Sequence, residues 1–338
     1  MPLLFKKLFR HRDGVIPNTL AFTYAFGGYA GGWWLITRNA WLANCAGTLL
    51  LAHAMIIAAY LIHECAHNTL FADNQHNARI GNILLWITGA CYGTYEGIRH
   101  KHFRHHVDRA DVVAFNFRHR LLQHPALLRT LQCLEWFYIP ALDLVMHWLV
   151  PVMPFVMPTR RNQRLRVVSI LLVRGSMFAM LFIASPRSML FYPLAYMLML
   201  HVLRFMDAFQ HTYELFETLE SQPGPEARHF DAAFEFSHTY TNLHSVNYPW
   251  LNLITLNFGY HNAHHEKPTQ PWHSLPALHE KLFDQNLSQL IPFHNQLSCY
   301  RRFRLQRLTN EDPIDFDVIH NQGADFIGVD GVSFLTGH

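Results

Sequence analysis

Cysteine is scarce in this chain, and no two cysteines lie close together. Five cysteines occur in 338 residues, and none belongs to a C-x-x-C pair. Internal repeats and low-complexity tracts are also lacking. The odd number and wide spacing of the cysteines exclude a disulfide framework and a rubredoxin or ferredoxin module, since each of these needs closely spaced cysteines.

Charged residues are also few. Only 15% of the residues are charged and 50% are hydrophobic, whereas soluble proteins have about 25% charged residues. This composition indicates a membrane protein. The net charge is only +3, which does not support nucleic acid binding. Because the mean hydropathy is no higher than +0.03, we expect an aqueous cap on the membrane stem.

Histidine, in contrast, is abundant and clustered. Three motifs stand out among 25 histidines: HECAH at 63–67, HFRHH at 102–106 and HNAHH at 261–265. In the last two, histidines occupy positions i, i+3 and i+4. These positions lie on one face of a helix, so each motif would direct several imidazoles the same way. The pattern indicates a metal site.

Four segments are apolar and long enough to cross a bilayer, which takes about 20 residues. They are residues 15–36, 41–62, 167–184 and 189–206. Short loops separate the first segment from the second and the third from the fourth, so the pattern predicts two helical hairpins. Arg174, inside the third segment, should pair or reach toward the interface. The predicted fold class is an all-α membrane protein with four transmembrane helices.

Two further apolar stretches, 80–95 and 134–157, are predicted to lie flat or at the interface. If the first stretch crossed the membrane, the first and second histidine motifs would be separated by the bilayer. The second stretch contains Glu135, Asp143 and three prolines, which suit an interfacial helix better than a spanning one. We therefore expect both stretches to accompany a helical cap that holds a dimetal site.

Basic residues near the span ends predict the orientation. The loops after the first and third spans hold only Arg38 and Arg187, whereas basic residues are frequent before those spans. We therefore expect both termini and the metal site on the cytoplasmic side, in a bacterial cytoplasmic membrane. The amino-terminal basic stretch could also open a signal peptide, but the apolar run is too long and no cleavage site is evident.

The domain organisation follows from these spans. Residues 1–300 are predicted to form one integral membrane domain, with a cap made of residues 63–166 and 207–300. From residue 301 the sequence becomes polar. Residues 301–338 are expected to form a surface-packed or loose tail.

Eight histidines of the three motifs are candidate metal ligands: His63, His67, His102, His105, His106, His261, His264 and His265. Imidazole binds iron, copper, zinc and nickel, and one zinc ion is satisfied by about four ligands. Two metal ions are therefore the economical interpretation. Carboxylates near the motifs would orient the rings and balance charge. The candidates are Glu64, Asp108, Asp111 and Glu266.

His211 is a ninth candidate ligand. It belongs to a run of polar residues spaced three and four apart, which predicts that the helix of the fourth span continues out of the membrane. The run consists of Arg204, Asp207, His211 and Glu214. Such a stripe is also typical of a solvated helix end. We predict that His211 reaches the metal ions.

These motifs resemble the three histidine boxes of the membrane fatty acid desaturase superfamily, whose members are non-haem di-iron enzymes. HECAH resembles the first box, HFRHH the second and HNAHH the third, and the likeness covers about residues 14–278. The stretch NLITLNFGYHNAHHEKP at 252–268 looks most like acyl-lipid desaturases. QHTYE at 210–214 is similar to the region where relatives place an additional ligand, which favours His211.

The resemblance implies a reaction. Relatives use two iron ions, dioxygen and two delivered electrons to remove hydrogens from neighbouring methylenes of a fatty acyl chain. The implied substrate is a fatty acyl lipid or thioester among membrane lipids. Because no HPGG signature of a fused cytochrome b5 occurs, the implied electron donor is a separate ferredoxin or cytochrome b5. Candidate walls of an apolar substrate tunnel are Trp86, Tyr92, Tyr95, Trp250, Phe258 and Tyr260, although ordinary packing is the favoured interpretation of each.

Two alternatives to a desaturase stay open. A hydroxylase, monooxygenase or ketolase of the same superfamily would act on an alkane, a fatty acid or a carotenoid. A non-catalytic haem protein or metal transporter would place its ligands inside the spans, whereas these motifs lie at span ends. The basic residues around the second box are expected to face anionic lipid headgroups, or else an acidic carrier or an anionic substrate. They are Arg99, Lys101, Arg104 and Arg109.

Overall fold

Long apolar runs of the sequence form helices in the computed structural model, which describes residues 8–213, 215–221, 230–283, 287–309 and 321–337. In chain order the α-helices of these residues are α1 (Val15–Ile36), α2 (Trp41–Ala66), α3 (Asn74–Thr88), α4 (Tyr95–Asp108), α5 (Phe117–Gln123), α6 (Pro125–Trp136), α7 (Ala141–Val156), α8 (Arg164–Ala184), α9 (Ser188–Asp207), α10 (Ala232–Ser237), α11 (His261–Glu266), α12 (Leu275–Leu282) and α13 (Phe293–Arg302). Two short strands, β1 (Asp111–Val113) and β2 (Phe216–Thr218), pair in parallel. The mostly helical fold class is confirmed.

The chain divides into two compact units. The first holds the described residues up to 97, together with 147–202 and 337, and the second holds those within 98–146 and 203–336. The second histidine motif, the third motif and His211 all belong to the second unit, whereas the first motif belongs to the first unit.

In the first unit, α1 and α2 form a tightly packed hairpin. A Cβ on Gly32 would lie 2.8 Å from Cβ of Leu51, and a Cβ on Gly47 would lie 2.6 Å from Cβ of Leu35. Glycine is therefore required at both positions for the helices to approach this closely. The Asn44 side chain donates a hydrogen bond of 3.1 Å to the carbonyl of Leu35 and so caps the end of α1.

Three helical segments of the described residues are long and apolar enough to cross a membrane. They are Trp41–Ala66, Pro158–Ala184 and Ser188–Asp207, and they coincide with three of the four predicted spans. The first predicted span forms the helix α1 but is not among these apolar segments, so the four-span topology stays a prediction. These helices identify an integral membrane protein.

The two apolar stretches predicted to lie at the interface are shorter or broken. The first forms most of α3, a helix of only 15 residues. The second forms the end of α6 and all of α7, which meet at an angle of 119°. Prolines 151 and 154 lie inside α7. Because the bent pair could together count as a fourth span, its interfacial position also stays a prediction.

Arg174 is accommodated inside the first unit by partners rather than by exposure. Its guanidinium donates to the carbonyl of Trp86 and to the hydroxyl of Tyr192, each over 3.0 Å. It also lies 5.4 Å from the ring centroid of Phe178. The prediction that this arginine pairs is therefore confirmed, and the buried charge does not lack hydrogen-bond acceptors.

Part of the carboxyl-terminal segment, which the sequence predicts to be a surface-packed or loose tail, is buried. Residues 321–336 belong to the second unit, and Phe326, Asp330 and Leu335 are each no more than 1% exposed. Phe326 packs in an apolar cluster with Phe209 and Tyr240. The described part of this stretch therefore fills part of a core.

Candidate metal centre

The first histidine motif lies where α2 ends. His63 and His67 are one turn apart, and their ring centroids are separated by 4.8 Å. Glu64, predicted as an orienting carboxylate, has its Oε1 3.6 Å from Nδ1 of His63. Its Oε2 accepts a hydrogen bond of 2.6 Å from the hydroxyl of Thr69. The end of α2 therefore presents two neighbouring imidazoles with a buried carboxylate between them in sequence.

The second motif occupies the last turns of α4, so its histidines share a helix face as predicted. Nδ1 of His105 donates to the carbonyl of Ala110 over 2.9 Å. That bond places the ring proton on Nδ1 and leaves the lone pair of Nε2 available to a metal ion. Nε2 of His106 lies 3.2 Å from Nε2 of His102.

The third motif lies on the short helix α11, which follows a tight reversal of the chain. Leu256 and Asn257 both adopt left-handed backbone conformations, with φ of 46° and 58°, which non-glycine residues adopt only when their surroundings enforce it. Within α11, the side chain of Asn262 donates to the carbonyl of Thr239 over 2.6 Å. These contacts fix the direction of the three imidazoles.

His211 reaches the same region by a route that differs from the prediction. The helix α9 ends at Asp207, so the predicted helical continuation through His211 is wrong, and Glu214 lies outside the described residues. His211 instead lies in an extended segment that forms a bridge with Thr239. Since Thr239 also holds Asn262 of α11, this segment places Nε2 of His211 2.7 Å from Nε2 of His261.

The parallel pairing of β1 with β2 brings the second motif to His211. β1 follows α4 closely, and β2 follows His211 closely, so pairing Asp111 with Phe216 aligns the two chain segments. The amide of Asp111 also donates to the carbonyl of Leu215 over 2.9 Å. As a result, Nε2 of His105 lies 3.0 Å from Nε2 of His211.

Four histidines of the second unit therefore converge: His105, His211, His261 and His265, whose ligand atoms all lie within 4.8 Å of one another. Two imidazole nitrogens bound to one ion at about 2.1 Å would lie about 3.0–3.4 Å apart. The observed 3.0 Å and 2.7 Å are close to that spacing. Nε2 of His211 can carry only one proton yet faces two other Nε2 atoms, and a cation satisfies three converging lone pairs better than one proton does. The residues fit a metal ion.

A second group of imidazoles lies in the same unit. Nε2 of His106 is 3.2 Å from Nε2 of His102 and 3.3 Å from Nε2 of His264. Seven of the nine predicted ligands are thus brought together in the second unit, and His63 and His67 lie together in the first. His100, two residues before the second motif, and His238 are absent from the possible metal-binding groups of the described residues.

Burial keeps the imidazoles of His211 and His261 in the neutral form that binds metal ions. Burial, reinforced by the neighbouring histidines, holds the pKa of His211 and of His261 well below the ordinary histidine value. Both imidazoles are therefore neutral near pH 7. Neutral imidazole is the form that binds a metal ion.

Glu235 is the orienting carboxylate that the sequence did not reveal. Nδ1 of His265 donates to its Oε1 over 2.8 Å, and Nε of Arg109 donates to its Oε2 over 2.8 Å. Of the predicted carboxylates, Asp108 is instead paired with Arg104, and Glu266 is exposed. Glu235 lies on α10, at no fixed spacing from any box, so no local pattern could have identified it.

Replacing Glu235 with glutamine should weaken metal binding by about 10-fold to 100-fold. The amide keeps the shape of the side chain but loses the charge that orients the His265 imidazole and raises its basicity. Competition between the purified protein and a coloured chelator for iron(II) measures this affinity. Glu266→Gln, at the exposed neighbouring carboxylate, is the matched control, and equal affinities for the two variants would contradict the assigned role of Glu235.

A cavity of about 50 Å³ adjoins this histidine group in the second unit. Its wall includes His102, His105, His211 and His261, together with Phe258 of the predicted tunnel residues. Lys101 and Asp111 also line it, and burial lowers the pKa of Lys101 to about 7 and raises the pKa of Asp111 to about 7. The expectation that Lys101 faces lipid headgroups is wrong, because this side chain is 2% exposed.

No curated protein matches the chain. A family model described as fatty acid desaturase matches residues 39–296, a region that contains all three histidine motifs and His211. The chain belongs to the fatty acid desaturase family.

Proposed function

We propose that this protein is an oxygen-dependent fatty acyl desaturase with two iron ions bound by nine histidines. The ligands are His63, His67, His102, His105, His106, His211, His261, His264 and His265. The observation that supports the proposal most is the approach of Nε2 of His105 and Nε2 of His261 to Nε2 of His211. The part played by His63 and His67 rests on the match of their motif to the first box of the family.

The proposed reaction converts two adjacent methylenes to a double bond. In balanced form, R–CH₂–CH₂–R′ + O₂ + 2 e⁻ + 2 H⁺ gives R–CH=CH–R′ + 2 H₂O. A bound di-iron centre would supply the activation of dioxygen that this reaction needs. The protein positions one bond of the acyl chain and keeps water away.

The residues around the histidines have separable tasks. The carbonyl of Ala110 and the carboxylate of Glu235 hold the protons of His105 and His265 on Nδ1, which directs the Nε2 lone pairs toward one point. Arg109 fixes the second oxygen of Glu235 and balances its charge. This arrangement keeps the imidazoles oriented before any substrate binds, so little reorganisation is needed during turnover.

We place the metal centre and both termini on the cytoplasmic side, because basic residues are concentrated at those ends of the predicted spans. The acyl chain arrives on a lipid or as a thioester, and electrons arrive from a separate ferredoxin or cytochrome b5. None of these partners involves nucleic acid.

Product analysis tests the proposed reaction. The chain is expressed in a host that lacks unsaturated lipids, and acyl products are identified by mass spectrometry with localisation of double bonds. We expect a new acyl species that has lost two hydrogens and gained no oxygen, and we expect it to be absent with the His105→Ala variant. A hydroxylated or keto product would instead identify a hydroxylase or ketolase of the same superfamily and reject the desaturase.

A further inference from the structure

The carboxyl-terminal segment lies against the histidine cavity, although the sequence gives it no motif. Val332 and Phe334 line the cavity together with His102, His105, His211 and His261. The ring centroid of Phe334 is 6.4 Å from that of His102, with the two rings nearly edge to face. Two residues of a segment predicted to be a polar tail thus form part of the wall beside the metal ligands.

Buried charges anchor this segment. Asp330 is fully buried and accepts a hydrogen bond of 2.8 Å from Nε of Arg204. Nε of Arg307, which is also fully buried, lies 3.4 Å from the same carboxylate oxygen. Arg307 donates in addition to the carbonyl of Ile327 over 3.0 Å. A buried carboxylate between two guanidiniums is costly to expose, so it holds the segment in place.

A second anchor lies next to the cavity itself. Lys101, which precedes the ligand His102, donates from Nζ to the carbonyl of Ser333 over 2.6 Å and to the hydroxyl of Thr336 over 2.8 Å. These two acceptors flank Phe334 in sequence. The Lys101 side chain therefore holds the backbone before Phe334 and the side chain of Thr336 after it, and moving this stretch away from the cavity would break both hydrogen bonds.

We propose that the segment Asn321–Thr336 is a fixed seal of the metal cavity, in which Phe334 and Val332 exclude water from the histidine-bound metal. The cavity, at about 50 Å³, holds a few small molecules, since a water needs about 10–15 Å³ of such volume. Phe334 and Val332 offer such a water no hydrogen-bond partner on the side of the carboxyl-terminal segment.

The seal has a consequence for turnover that rests on the proposed function. Water entering the cavity would divert the reaction toward peroxide, O₂ + 2 e⁻ + 2 H⁺ → H₂O₂, with the electrons taken from the same external donor. An opened seal should therefore raise the peroxide formed per electron pair and lower the double bonds formed. The access of solvent to the metal, in contrast, does not depend on which reaction is catalysed.

Chelator access to the bound metal tests the seal. Full-length protein in detergent is loaded with iron(II) and mixed with excess bipyridyl, and the rate of iron release is followed by absorbance. Phe334→Ala should release iron at least about tenfold faster than the unmodified protein, because truncating a buried aromatic side chain strongly weakens local closure. Phe334→Leu and Val332→Ala should increase the rate of iron release by less. These two variants replace Phe334→Ala in the test if Phe334→Ala does not fold.

Asp325→Ala is the matched control within the same segment. The ion pair of Asp325 with Arg302 is solvent-exposed, with side chains 49% and 63% exposed, and its removal should leave the release rate unchanged. Release rates of the Phe334 and Val332 variants equal to that of the control would overturn the seal. Labelling of histidines by diethyl pyrocarbonate reports the same access without bound iron, and unchanged labelling of His102 and His261 in the three variants would also overturn it.

Peroxide measurement separates failure of this inference from failure of the proposed function. With a desaturase, Phe334→Ala should raise the ratio of peroxide to double bonds while Asp325→Ala does not. If neither the unmodified protein nor any variant forms double bonds, the proposed function fails. Faster iron release from Phe334→Ala would still support the seal in that case. If double bonds form normally and release is unchanged, the seal fails while the proposed function stands.

Discussion

His105→Ala and His264→Ala are each expected to abolish turnover, with a loss of more than about 100-fold, while insertion into the membrane is largely unaffected. Nε2 of His105 lies 3.0 Å from Nε2 of His211, and Nε2 of His264 lies 3.3 Å from Nε2 of His106. Alanine removes one nitrogen from each converging group and leaves the other imidazoles without a ligand partner. Acyl product formation in membranes with matched protein levels measures the effect.

The control for both variants is His124→Ala. His124 is exposed, lies at the start of α6 and belongs to none of the converging groups. Its replacement should leave turnover unchanged. Full activity of either His105→Ala or His264→Ala would show that the affected nitrogen does not bind the metal, and the ligand assignment would have to be abandoned.

Asp330→Ala is expected to lower the stability of the second unit by about 3–5 kcal/mol, because it leaves two buried guanidiniums facing each other without the shared carboxylate. Arg204 keeps its bond to Glu135, of 2.8 Å, but Arg307 loses its only carboxylate partner among the described residues. Thermal unfolding of the detergent-solubilised protein measures the loss, and the variant should unfold at a clearly lower temperature.

Asp325→Ala again provides the comparison, since an exposed ion pair contributes at most about 1 kcal/mol. The two aspartates lie in the same segment and differ chiefly in burial. A midpoint of unfolding for Asp330→Ala that equals the midpoint for Asp325→Ala would show that the buried charges do not anchor the carboxyl-terminal segment.

Local patterns in the sequence predict those parts of the site that depend on local geometry. Spacings of three and four residues place His102, His105 and His106 on one face of α4, because helix periodicity is a property of consecutive residues. Apolar runs likewise predict the helices, since burial in lipid depends on composition within one segment. The polar spacing after the fourth span and the resemblance of QHTYE predict His211 as a ligand, although the helix expected to carry it ends before it.

The parts that were missed depend on contacts between distant segments. Glu235 reaches His265 from another helix, and Phe334 reaches the cavity from beyond residue 300. The basic neighbours of Lys101 predict that it faces the membrane surface, yet it is buried by a segment that follows it by more than two hundred residues. No periodicity encodes such pairs, because they arise only when the chain packs.

The iron content of the purified full-length protein tests the central claim most directly. The convergence of neutral, buried imidazoles predicts two tightly bound iron ions per chain by elemental analysis, with no haem absorption band. Bound haem, or the absence of tightly held iron after purification with iron supplied, would contradict the account.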